Sequence, residues 1–257
     1  MSAPSAAVRA AASPQTIVVL LLAAAGWAAT VPRALDMGAA PGTMGLSPVA
    51  FLGMWLLMMA AMMLPSVAPV ASLYVRTFRT SPWARTAQLV VGYLAVWTVA
   101  GVPLFALAQV ADEADASASW PRFLAAGLFG VAGVWQLSGA KDRCLRHCRS
   151  PIALLLHYGN FKGSAVDLRV GVHHAAWCLG CCWALMVLFV AFGVMNLLAM
   201  IGLAALVYAE KRSPVGEGLA RMAGIALLVL AVSVMFVPEL APGLTGGDGM
   251  SDMTPRM

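Results

Sequence analysis

"GVHHAAWCLGCCWALMVLFVAFGVMNLLAMIGLAALVYA", residues 171 to 209, carries no formal charge from end to end. As one helix it would be about 58 Å long at 1.5 Å per residue, roughly twice a hydrocarbon core of about 30 Å. The stretch therefore reverses, and Gly193 to Asn196 supplies the turn chemistry. Two consecutive membrane helices follow, over 170–192 and 195–210.

Working outward, the whole chain has this character. It is 61% hydrophobic and 11% charged, far from the roughly half apolar and quarter charged balance of a soluble domain. The apolar runs are continuous and do not alternate, which argues against a β-barrel. The sequence predicts an all-α fold, a polytopic transmembrane helical bundle of about seven helices. The other five fall at 16–32, 48–70, 87–110, 121–140 and 217–237. Residues 1–240 read as one domain, and the Gly-, Pro- and Met-rich tail 241–257 as a flexible end. The first segment reads as a retained anchor, although Arg9 ahead of its apolar run also fits a cleaved signal peptide.

The net charge of +5 is a matter of loops. With a cytoplasmic N-terminus, Arg9, Arg76, Arg79, Arg85, Lys141, Arg143, Arg146, Arg149, Lys162, Arg169, Lys211, Arg212 and Arg221 lie inside. Only Arg33, Arg122 and Arg256 lie outside, with the acidic loop of Asp112, Glu113 and Asp115. This bias sets orientation in a cytoplasmic membrane. It gives no reason to expect nucleic acid as a partner; the lipid bilayer is the expected environment.

The opening stretch also carries chemistry. His174, Cys178, Cys181 and Cys182 fall within a helical stripe roughly 100° wide and about 12 Å long. His173 points away from it. A single cysteine in such a helix packs as a small hydrophobe; three in five residues aligned with a histidine point to metal binding or redox chemistry. Cys144 and Cys148 share a face in "KDRCLRHCRSP", residues 141–151, beside His147. All five cysteines lie toward the cytoplasmic side, where thiols stay reduced, so structural disulfides are not expected.

A second unusual stretch is "MWLLMMAAMMLP", residues 54–65. Methionine fills cores, but thioethers also select Cu(I). Met58, Met59 and Met62 are the candidate thioether donors, with Met58 and Met59 near the depth of Cys178. Pro65 and Pro69 are expected to kink or end this helix. His157 and Asp167 are harder candidate donors near the cytoplasmic mouth, Asp167 also being placed to pair with Arg169. Gln136 and Asn196 read as interhelical hydrogen-bonders. Segments three, six and seven are read as free of intramembrane charge. No phosphate loop, Ser–His–Asp pattern or HExxH motif is present, which excludes ATP-driven pumping by this chain alone.

"MWLLMMAAMMLP", "CLRHCRSP", "HHAAWCLGCCWALM" and "GVMNLLAM…EK" resemble the bacterial family called domain of unknown function 2182, over about residues 50 to 212. The resemblance implies a helical integral membrane protein with a metal site, and maps that family's histidine onto His174.

Three functions fit these features. The first is metal handling, as chaperone, transporter or insertion factor, with copper favoured over zinc as the transition metal. A soluble metallochaperone or membrane protein would then be a partner. The second is a membrane thiol–disulfide oxidoreductase using Cys178/Cys181 and Cys144/Cys148. The third is a membrane copper enzyme drawing on His174, His157 and Asp167.

Overall fold

The computed structural model describes residues 13–38, 40–76, 81–113, 119–149, 158 and 165–245. Every regular element among them is helical: α1 (Pro14–Met37), α2 (Pro48–Arg76), α3 (Pro82–Asp112), α4 (Trp120–Gln136), α5 (Gly139–Arg149), α6 (Val166–Phe192), α7 (Leu197–Arg212) and α8 (Gly216–Ser233). A 3-10 turn, Pro238–Leu240, and a single helical turn, α9 (Pro242–Thr245), close the described chain.

Five of these helices, α1, α2, α3, α6 and α8, are long and apolar enough to cross a membrane. The count reaches six if α4 and α5, bent by 62° at their junction, form one broken span. The expected seven is not reached, because α7 has only 16 residues, about 24 Å at 1.5 Å per residue. Exposed Leu20, Leu21, Val91, Val99, Val102, Val131 and Ile225 give the outer surface an apolar face, compatible with a bilayer around a multi-pass protein.

Sequence accounts for the boundaries. Ser13 accepts a hydrogen bond from Thr16 N and caps α1. Between α6 and α7, Gly193 adopts φ +92°, and the Asn196 side chain accepts from Ala199 N at 3.1 Å. The reversal falls where expected, but Asn196 serves as this local cap, and its amide donates to Phe192 O. α2 runs unbroken through Pro65 and Pro69, so neither ends it. Tight turns and neighbouring helices satisfy backbone groups freed by proline in such helices.

α2 and α6 are the interior helices, with 61% of each apolar window buried against 22–39% for α1, α3 and α8. α6 packs along α3, α4 and α5, while α1 packs on α2 and α8 on α4. Small residues allow these approaches. A Cβ on Gly171 would lie 2.1 Å from Leu89 O, and one on Gly92 would lie 2.3 Å from Leu168 O. The α3–α6 crossing is therefore backbone against backbone. At the chain's end, Leu244 is buried and Gly243 abuts Gly193, so the first residues of the expected tail pack on α6. Residues 246–257 lie outside the described residues.

Candidate metal centre

Cys178, Cys181 and Cys182 are buried to 1%, 1% and 0% exposure, with His174 at 4%. The stripe read from the sequence thus faces protein and not lipid. The three sulfurs have different surroundings. Cys178 Sγ lies 3.0 Å from the Tyr93 hydroxyl of α3 and 2.9 Å from Lys211 Nζ of α7. Cys181 and Cys182 both donate to the Cys178 carbonyl, at 3.1 and 2.9 Å. His174 stacks on Tyr93, with ring centroids 6.1 Å apart, and its Nδ1 is buried with no hydrogen-bond partner.

The bend after Gln136 lays α5 across α6. Cys144 Sγ sits over Gly180, 3.1 Å from where a Cβ would stand. Cys148 is the thiol neighbour of Cys181 across the helix pair. The two cysteine groups found in sequence are therefore brought together, and all five cysteines are free thiols. Beside them, His147 stacks on Trp177 at 4.3 Å and meets His173 at 5.9 Å. His173 Nδ1 lies 3.3 Å from the Tyr158 hydroxyl. Burial pushes the Tyr158 hydroxyl's pKa up, so it stays protonated in this contact.

The methionine helix is placed by three links. Tyr74 donates to Asp167 at 2.8 Å, Trp55 meets Phe189 at 6.5 Å, and between them Lys211 reaches both Ser66, at 3.4 Å, and Cys178. α2 and α6 therefore run antiparallel, with Met62 level with Cys181 to within a turn. Met58 and Met59 lie about a turn further from Cys178 than Met62 does, rather than at its depth. All three are buried.

Asp167 is committed elsewhere. Its carboxylate pairs with Arg85 at 3.0 Å, 82 residues earlier in the chain, and accepts from Tyr74. His157 lies outside the described residues. Among the described residues no three His, Cys, Asp or Glu side chains stand in a metal-holding arrangement.

The sequence reading missed two charges. Glu210, the last residue of the 195–210 segment read as free of charge, and Lys211, read as loop charge, are 1% and 9% exposed. Glu210 accepts from Lys141 Nζ and Gln136 Nε2, each at 2.7 Å, which makes the expected interhelical bond of Gln136. Lys211 turns the other way, toward Cys178. The available signal was length: a 16-residue helix is shorter than a core of about 30 Å, so its terminal charges are drawn inward.

No curated protein and no solved structure matches the chain. A family model does, over residues 52–234, which hold both cysteine groups, the whole methionine run and Lys211. The chain belongs to that family, PpoB2, described as a copper chaperone. The name domain of unknown function 2182, suggested by the motifs, is not the one this match carries. Membership supports a role in copper handling.

Proposed function

We propose that this chain is a multi-pass protein of the bacterial inner membrane that holds Cu(I) on buried thiolates and passes it to a partner. Copper is cargo. The observation that supports this most directly is the convergence of Cys144 and Cys148 on α5 with Cys178, Cys181 and Cys182 on α6, within the family match to a copper chaperone. Thiolates are the soft donors that favour Cu(I). Cu(I) is content with two of them, so any neighbouring pair of these thiols suffices to hold an ion that must be released. Cys178, Cys181 and Cys182 take the ion in pairs, Cys148 offers the thiol for hand-over, Cys144 packs behind it, and Met62 is the nearest thioether by depth. His174, with its unpartnered Nδ1, is the harder donor on the same face.

The positive-inside bias of the sequence supports a cytoplasmic N-terminus, with α5 and the cysteine face toward the cytoplasm. A soluble metallochaperone or a membrane partner at that face is the recipient or donor. Zinc is the second metal, because Cys and His bind it as well.

The test is Cu(I) titration of the purified protein in reductant against a chromophoric chelator, for wild type and Cys178→Ser/Cys181→Ser/Cys182→Ser. Wild type is expected to retain copper that the variant loses. Equal retention would end this reading. No copper in either, with reversible Cys148–Cys181 oxidation, would instead support the thiol–disulfide alternative, which that apposition favours.

A further inference from the structure

The end of the bundle that carries α5 is rich in arginine. A cavity of about 480 Å³ opens there between α5 and the start of α8. Arg146 and Arg149 line it from α5, and Val215, Glu217 and Gly218 from the entry to α8. Guanidinium groups keep their charge at every working pH, so two fixed positive charges share one cleft. Arg149 is held in place, because its Nη2 donates to Ser213 O. Its Nη1 lies 2.9 Å from where a Cβ on Gly216 would stand, so glycine is what lets the group rest against this turn. Arg146 is exposed, and its pairing with Glu217 is loose, at 3.8 Å. Glu217 is the one carboxylate among the described lining residues, which leaves the cleft net positive. No side chain caps the first turn of α8, and amides at a helix start add to the attraction for an anion. From this cleft an apolar stripe runs down α8. Gly218, Met222, Ile225, Val229 and Val232 follow at steps of four and three, which keeps them on one face, and all are exposed. A positive pocket at the head of an exposed apolar stripe fits an anionic amphiphile; a soluble anion would use only the pocket.

We infer that the Arg146–Arg149 cleft binds the phosphate of an anionic phospholipid, with an acyl chain laid along the Gly218–Val232 stripe of α8. This rests on the membrane placement proposed above and is independent of copper. Basic pockets between membrane helices are where anionic headgroups settle. The planar guanidinium fork also matches phosphate oxygens two at a time. A zwitterionic phospholipid carries the same phosphate but adds a cation, which two arginines repel. Glu217 limits the affinity, since its carboxylate competes for Arg146. The bound phosphate bridges α5 and the start of α8, so it ties the helix that carries Cys144 and Cys148 to the surrounding leaflet.

The experiment is native mass spectrometry of the full-length protein in detergent, titrated with phosphatidylglycerol, with phosphatidylcholine of the same chains, or with inorganic phosphate. Wild type is expected to prefer phosphatidylglycerol to phosphatidylcholine by at least about tenfold, at roughly fivefold per arginine. Arg146→Gln is expected to lose about fivefold in phosphatidylglycerol affinity, and Arg146→Gln/Arg149→Gln most of the preference. Glu217→Gln is expected to raise that affinity severalfold. Equal binding of the two phospholipids by wild type overturns the inference and leaves the cleft to an acidic protein face. Displacement of the lipid by a comparable concentration of inorganic phosphate overturns it in favour of a free anion. Should the double variant not fold, since Arg149 also holds Ser213, the single variants decide: unchanged phosphatidylglycerol affinity in both Arg146→Gln and Glu217→Gln overturns it. A chain that stays dispersed without detergent would end the membrane placement itself. A chain that needs detergent but shows no preference ends this inference alone.

Discussion

Cys144 Sγ occupies the space that a side chain on Gly180 would enter, 3.1 Å from the position of its Cβ. This is how α5 comes close enough to α6 for Cys148 to meet Cys181. Gly180→Ala asks the sulfur to move by a few tenths of an ångström and is expected to be nearly silent. Gly180→Val is expected to push α5 away and slow Cys148–Cys181 cross-linking by a mild oxidant severalfold, measured by thiol labelling over time. Equal cross-linking rates in Gly180→Val and wild type would show that this contact does not set the spacing.

The Lys141–Glu210 pair is fully buried and ties the α4–α5 bend to the end of α7. Removing one partner leaves a buried charge, at a cost of about 3–5 kcal/mol. Glu210→Gln and Lys141→Met are each expected to lower the thermal midpoint clearly. Lys141→Met/Glu210→Met should recover much of the loss, since neither charge remains. Thermal unfolding in detergent, followed by circular dichroism, reads this; a double variant as unstable as the sum of the singles refutes it.

Asp167 is held by Arg85 and Tyr74, which makes it a tie between α2, α3 and α6. Asp167→Asn is therefore expected to reduce stability and leave copper stoichiometry unchanged. Loss of copper with unchanged stability would return Asp167 to the ligand set.

At the α3–α6 crossing, Gly92 and Gly171 each leave no room for a Cβ. Alanine at either is expected to destabilise by at least about 1–3 kcal/mol, the usual range for overpacking. The double variant should cost less than the sum, because one separation of the helices accommodates both. Additive losses in thermal midpoint would show two independent sites.

These sites show what could be read from residues alone. Helical spacing put Cys178, Cys181 and Cys182 on one face with His174, and the structure keeps that face inward. The Gly193–Asn196 reversal was legible for the same reason: too many apolar residues for one crossing, with turn residues at the midpoint. The α4–α5 bend was less so, since Leu137, Ser138 and Gly139 do not announce an angle. Lys211 was lost because a basic residue after an apolar run normally marks a membrane edge. The shortness of α7 bears on its burial, but its partner, 33 residues earlier, is set by pairing across helices, which leaves no trace in one sequence. The Met62 level depended likewise on the α2–α6 register, fixed by Tyr74, Ser66 and Trp55 together.

The brevity of α7 reaches into the lipid. Leu198, Ile201 and Tyr208 lie on its exposed side, over a length of about 24 Å at the usual helical rise. Acyl chains beside it face hydrophobic mismatch, which a bilayer relieves by thinning locally. Such a dimple would draw the aqueous boundary toward Lys211, shortening the dry distance between water and the Cys178 sulfur. Membrane thickness would then act on the exchange rate, faster in short-chain lipids than in long.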